Sequence, residues 1–174
     1  MQTLNVKIQG VSPLLQHRFI GEPPEGMRNK PPQEQAELAT YRDIKTGELY
    51  IPVENLTRAL ISGASYSKGK GRSSLQKEVA AAVFVSPARI SLGTKKFETD
   101  SRSVVIPATK GRIMAHRPRI DEWSAGFVIE FDETLLRKEQ IVKILSDTGS
   151  RVGLMDFRPE RKGPYGRFEV LSAK

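Results

Sequence analysis

The stretch Gly153-Leu154-Met155-Asp156-Phe157-Arg158-Pro159-Glu160-Arg161-Lys162-Gly163-Pro164-Tyr165-Gly166-Arg167-Phe168 joins the strongest helical pattern of the chain to its last strand. Upstream, Thr134 to Thr148 carries Leu135, Ile141, Ile144 and Leu145 as an apolar stripe, with Gly149 placed as a C-terminal stop. Downstream, Arg167 to Leu171 reads as a closing strand. A helix that returns to a strand through a turn-rich connector is the second half of a split β-α-β unit, and the first half has to be found upstream.

It begins at the first residues. Thr3 to Gln9 alternates apolar and polar side chains until Gly10, Ser12 and Pro13 stop it, which predicts a half-buried strand. Pro52 suits the first turn of a helix that carries Leu56, Leu60 and Ile61 on one face and ends at Gly63. Leu75 to Val83 reads as an Ala-rich helix, and Ala88 to Leu92 and Ser103 to Ile106 as strands. Trp123 to Phe131 is a further strand, with Phe127, Ile129 and Phe131 alternating against Val128, Glu130 and Asp132. This order predicts an α+β, ferredoxin-like fold: an antiparallel sheet with two helices on one face, plus a basic β-hairpin arm between Pro107 and Pro118. A single domain over residues 1–174 is expected, with excursions at 20–48 and 62–120. In the first excursion, Gly21, Pro23, Pro24, Gly26, Pro31 and Pro32 forbid regular structure before a short helix from Gln33 to Tyr41. In the second, Ser65 to Ser74 reads as a mobile basic loop.

The charge is strong and unevenly placed. Across 174 residues, 28 Lys and Arg stand against 20 Asp and Glu, a net charge of +8. Half of the basic residues fall in three windows, Ser62 to Lys77, Ser101 to Ile120 and Gly149 to Phe168, where Asp156 and Glu160 are the only acids. Such segregation is the footprint of a polyanion binder, although three separate solvated loops have the same composition. With no cysteine, disulfides, thiol nucleophiles and Cys-based metal sites are excluded. The longest apolar run, Val79 to Val85, is too short to span a bilayer, and Met1 leads straight into strand-like alternation. A cytoplasmic protein with no membrane partner is expected.

In the Gly153 to Phe168 stretch, glycines at 153, 163 and 166 permit positive φ and close approach of a backbone to a ligand, while Arg158, Arg161, Lys162 and Arg167 offer charge for phosphates. An ordinary turn-rich connector is the plainer reading of the same residues. The glycine spacing and the helix-to-strand direction do not fit the ATP or NAD fingerprints, so no cofactor is expected. The candidate nucleic-acid contacts are Lys68, Lys70 and Arg72 in the first basic loop, Lys110, Arg112, His116, Arg117 and Arg119 in the arm, and Arg158, Arg161, Lys162, Gly163, Gly166 and Arg167 in the tail. Tyr66 and Tyr165 are the candidate stacking surfaces for single-stranded bases, whereas Phe157 and Phe168 suit the core. His116 and His17 are the weak catalytic candidates, each without a spaced carboxylate partner, and no metal site or hydrolase motif is present in the sequence.

Two stretches carry a family resemblance. Tyr50-Ile51-Pro52-Val53-Glu54-Asn55-Leu56-Thr57-Arg58-Ala59-Leu60-Ile61 and Gly163-Pro164-Tyr165-Gly166-Arg167-Phe168 resemble the RAMP superfamily of CRISPR-associated RNA-binding proteins. The resemblance implies an RRM-like fold whose first helix opens at the Ile-Pro entry and whose glycine-rich loop lies near bound RNA. It is nearest to the guide-RNA backbone subunits, whose β-hairpin thumb corresponds to Lys110 to Arg119; a stand-alone phage or prophage relative is equally consistent. By that resemblance the chain is a non-enzymatic binder of single-stranded RNA, favoured over single-stranded DNA. It coats the strand as a homo-oligomer, with other effector-complex subunits as further partners. The alternatives are a metal-independent endoribonuclease acting through His116 or His17, and a protein-interaction subunit that makes contact through Gly21 to Pro32.

Overall fold

The computed structural model describes all 174 residues. In chain order its first half holds β1 (Gln2–Gly10), β2 (Leu14–Leu15), α1 (Pro32–Leu38), β3 (Tyr50–Pro52), α2 (Val53–Gly63), α3 (Gln76–Ala82) and β4 (Val83–Ser86). The second half holds β5 (Arg89–Ser91), β6 (Glu98–Val105), β7 (Arg112–Ile120), β8 (Ser124–Phe131), α4 (Lys138–Asp147) and β9 (Phe168–Ala173). Strands β4, β8, β1 and β9 form one sheet in that order, with every neighbouring pair antiparallel. Since α2 lies between β1 and β4 in the chain and α4 between β8 and β9, this is the ferredoxin-like order.

The alternation along β1 decides which face is covered. Leu4, Val6 and Ile8 are buried, and they register against Ile129, Phe127 and Ala125 of β8, which are buried as well. Leu56, Ala59 and Leu60 of α2, and Ile141, Ile144 and Leu145 of α4, are the buried stripes of the two helices. All belong to one contiguous apolar cluster, in which each fully buried Leu or Ile contributes about 1.5–3 kcal/mol. The opposite sheet face carries Thr3, Asn5 and Lys7 of β1 beside Glu130, Val128 and Gly126 of β8. A second sheet, β2-β7-β6, forms the arm, and β3 pairs with β5. The arm hairpin ends at the Val105–Arg112 pair, and its turn is closed by Ile106 accepting from Lys110 N–H (2.9 Å) and donating to the Gly111 carbonyl (2.8 Å). No helix is long and apolar enough to cross a membrane.

Several sequence expectations need correction. The stretch 62–120 is no simple excursion, because Val83–Ser86 is an edge strand of the main sheet and only the segment from β6 to β7 forms the arm. The arm is longer than Pro107 to Pro118, since β6 starts at Glu98 rather than Ser103. The helix after Thr134 starts only at Lys138: the Asp132 carboxylate takes both the N–H and the hydroxyl of Thr134 and folds a separate turn, which exposes Leu135 and buries Leu136. Gly149 does not stop the helix, which runs on through a π-type turn to Val152. A Cβ there meets the Phe168 carbonyl at 2.1 Å, so Gly149 serves the close crossing of β9. The basic loop after Tyr66 is folded back on itself rather than open: Lys68 pairs with Ser74, and Leu75 N–H donates to the Ser67 carbonyl at 3.0 Å.

Candidate nucleic-acid interface

One face of the arm is committed to holding the Gly153 to Phe168 loop. Arg102 forks onto Asp100 at 2.6 and 3.0 Å, donates to the Tyr165 hydroxyl, and lies 5.5 and 4.9 Å from the ring centres of Phe157 and Tyr165. Arg117 bonds Asp156 at 2.5 Å, and Arg119 bonds Asp121 at 2.6 Å. On its other side the loop is tied to α2, because Asn55 Oδ1 accepts from the Met155 N–H at 3.0 Å. Asp156 is presented between two non-glycine residues in left-handed conformation, Met155 (φ 63°) and Phe157 (φ 48°). Backbone strain of this kind persists only where surrounding contacts over-determine it.

This clasp revises part of the expected site. Tyr165 is 7% exposed, so its ring is not offered to a base. Arg117, Arg119 and Arg158 are neutralised by Asp156, Asp121 and Glu160, the last at 2.6 Å. Gly163 and Gly166 are required by the loop's own packing: a Cβ on Gly163 meets the Phe157 carbonyl at 1.8 Å, and one on Gly166 meets the Leu154 carbonyl at 2.0 Å. The sequence displays these charges but not which acids across the chain answer them.

What stays available lies at the outer edge of the loop and at the end of α2. Arg161 and Lys162 are exposed, and neither forms an ion pair. Tyr66 is 48% exposed, with the Arg151 guanidinium 4.7 Å from its ring centre, a cation–π contact. Arg151, which is not among the sequence candidates, also reaches Asp147 at 3.3 Å; the π-type turn that aims it at Tyr66 leaves no readable sequence signal. Arg167 donates to the Ser150 carbonyl at 3.2 Å beside the same turn. The loop itself connects this patch to the arm through Asp156 and Tyr165. Burial opposes ionisation of Glu160, but hydrogen bonds from Arg158 and Ser62 hold its carboxyl below the usual glutamate value and draw the loop toward the end of α2.

Other candidates are spread further. Lys110 and Arg112 are at the arm tip with exposed Val105, Ile113 and Met114, about 17 Å along the strands from the clasp. His116 is on the arm face away from the loop, with Nδ1 2.7 Å from the Ser101 hydroxyl. Lys68, Lys70 and Arg72 belong to the folded basic loop, which faces a cleft beside α4.

His17 lines a separate cleft of about 210 Å³ with Tyr41, Asn55, Asp156 and Arg158, its Nδ1 3.6 Å from Asp156. Burial pushes its pKa below the ordinary histidine value; Asp156 opposes the shift and Arg117 reinforces it. The ring is therefore neutral near pH 7, and a neutral imidazole can take a proton from a hydroxyl. Unfolded, His17 takes a proton near pH 6.5, whereas in the fold it resists until the pH is lower. The unfolded chain then binds more protons below about pH 6.5, so folding stability falls as the pH drops through that window. His17→Asn is expected to flatten the decline of Tm between about pH 7 and 5. Thermal melts across that range check it, and an unchanged slope contradicts it.

No protein-family model matches the chain, and no curated protein matches it. Among solved structures it is similar to a chain in the cryo-EM structure of the Type III-B Cmr-beta bound to cognate target RNA, with a TM-score of 0.60 and 14% identity. That similarity covers 99% of this chain and 59% of the other, so this chain spans less than two thirds of its neighbour's length. At such identity the likeness is one of fold.

Proposed function

We propose that residues 1–174 act as one RNA-binding unit of a CRISPR-type ribonucleoprotein, holding single-stranded RNA by its phosphates on Arg151, Arg161 and Lys162 while a base stacks on Tyr66. The observation that carries this reading is the sorting of the charges. Arg102, Arg117 and Arg119 are answered by Asp100, Asp156 and Asp121, whereas Arg161 and Lys162 are left unpaired and Arg151, 3.3 Å from Asp147, lies over the exposed Tyr66 ring. Neutral surfaces do not need such a division, and a phosphate backbone does. The fold shared with a chain of an RNA-bound complex supports the same reading.

A single strand suits this patch better than a duplex, because stacking needs an unpaired base. The central strands β1 and β8 present Thr3, Asn5, Lys7, Gly126, Val128 and Glu130 on the open sheet face, with no aromatic among them, so these two strands lack the stacking rings of an RRM, and exposed Phe84 lies on edge strand β4 beside Glu130. The arm tip, with Lys110 and Arg112, gives a second phosphate contact further along the strand. Copies of the chain coat the strand side by side, with other subunits of the complex as further partners.

Tyr66→Ala is expected to weaken binding of a labelled single-stranded RNA by about tenfold or more, the usual scale for one stacked base. Phe84→Ala, which removes the exposed aromatic of β4 on the other side of the sheet, is expected to leave binding unchanged. Fluorescence anisotropy reads both, and equal binding by wild type and Tyr66→Ala contradicts the placement of the strand.

A further inference from the structure

The main sheet ends in two open edges. β4 pairs only with β8, and β9 only with β1. An unpaired edge offers a row of free N–H and C=O groups to another strand. Each of these edges borders a groove that it shares with a helix. Beside β9, a groove of about 560 Å³ is lined by Val142, Ser146 and Ser150 and by Phe168 to Ala173, with Glu169 as its one charged residue. Beside β4, a groove of about 340 Å³ is lined by Val53, Thr57 and Arg58 of α2 and by Val83 to Val85. Glu54, one helical turn before Arg58, is the other charge there. Arg58 and Glu169 are both exposed, and neither forms an ion pair.

We infer that the β9 edge of one copy of the chain docks on the β4 edge of the next, main chain to main chain, with Glu169 answering Arg58. Strand direction selects this pairing. β4 is antiparallel to β8, β8 to β1 and β1 to β9, so β4 and β9 run in opposite directions. A second copy in the same orientation therefore brings its β9 antiparallel to β4 and continues the sheet. A bound single strand has one polarity, so copies that hold it alike all face one way, and the contact between them joins two different surfaces. On that point the inference rests on the proposed RNA-binding function. Pairing β4 with β4, or β9 with β9, needs a twofold axis and turns alternate copies against the strand. The two edges also lie at opposite ends of β1: through β8, β4 is level with Gln2 to Asn5, whereas β9 is level with Val6 to Gly10. Each copy is thus offset from the last by about 15 Å along the strands, and a head-to-tail contact with such an offset builds an open helix rather than a closed ring. The four residues of β4 keep the ladder short, so the contact is weak between free chains and gains strength when one strand holds the copies together.

The test reverses the two charges, as Arg58→Glu, as Glu169→Arg, and as both together in one chain. Binding is read on a labelled single-stranded RNA one site long and on a long one, and sedimentation velocity reads each protein without RNA near millimolar concentration. Wild type is expected to bind the long strand cooperatively and to self-associate on its own. Each single reversal is expected to lower the cooperativity about tenfold, the scale of turning an exposed attraction into a repulsion, and the double reversal to regain it. The two reversals change the net charge in opposite senses, so a general charge effect on RNA moves them apart, whereas a shared interface moves them together. Cooperativity that survives either reversal, a double reversal that does not regain it, or a wild type that is monomeric and binds the long strand without cooperativity overturns the inference. If the one-site strand is not bound but self-association follows the charges as described, the RNA-binding reading fails and the edge pairing stands. One-site binding with no response of assembly to the charges keeps the RNA-binding reading and removes the edge pairing.

Discussion

Gly166→Ala is expected to destabilise the protein by about 3 kcal/mol, which for a chain of this size lowers Tm by about 10 °C. Two causes add. Gly166 has φ +72°, where any Cβ is strained, at a cost of about 1 kcal/mol. That Cβ also falls 2.0 Å from the Leu154 carbonyl, which is backbone and cannot rotate aside. Neither partner has room to retreat, because the Gly166 N–H donates to the Pro13 carbonyl at 2.8 Å and its own carbonyl accepts from Leu154 at 2.9 Å. Gly71→Ala is the matched control, since Gly71 has φ +66° and a methyl group placed on it would meet nothing within 4 Å. It is expected to lose only about 1 kcal/mol. Thermal denaturation of the two variants separates them, and equal Tm values contradict a tightly docked loop.

The second large effect concerns binding. Arg151→Gln, Arg161→Gln and Lys162→Gln, combined, are expected to weaken single-stranded RNA binding about a hundredfold near 0.1 M salt. Each lost phosphate contact to a single strand removes about 0.7 from the slope of log affinity against log salt, so three remove about 2. Glutamine keeps each of these exposed side chains polar and uncharged. The exposed Arg151–Asp147 pair that is lost contributes about 1 kcal/mol at most, and none of the three charges is part of the clasp formed by Arg102, Arg117 and Asp156. The variant is therefore expected to melt close to wild type, which distinguishes lost contacts from a lost fold. A variant that binds as well as wild type contradicts the phosphate path.

Periodicity alone placed β1, β8, α2 and the body of α4, because each buries one face and the spacing of apolar residues shows which. Strand β4 escaped detection for a physical reason: Val83-Phe84-Val85 follows Ala82 of α3 without a turn residue, so the strand continues the apolar run of the helix. The first half of β6 was hidden because an arm strand has little core to face, and Glu98 to Arg102 is mostly polar. The fold class was legible, since helix and strand order survives such boundary errors. The site was legible only in part. Basic residues are visible one by one, but whether Arg117 meets phosphate or Asp156, 39 residues away, depends on tertiary packing. Tyr165 followed the same rule, its place beside Arg102 and Asp100 being fixed by a strand 63 residues upstream.

The most direct test of the charge-sorting account is the salt dependence of binding, measured by anisotropy for labelled single-stranded RNA and for a duplex of equal length, with wild type and the triple glutamine variant. The account predicts tight, salt-sensitive binding of wild type to the single strand, weaker binding to the duplex, and a slope shallower by about 2 for the variant. Binding that is insensitive to salt, or a slope equal in the two proteins, contradicts it and makes the patch around Tyr66 a surface for something other than a phosphate backbone.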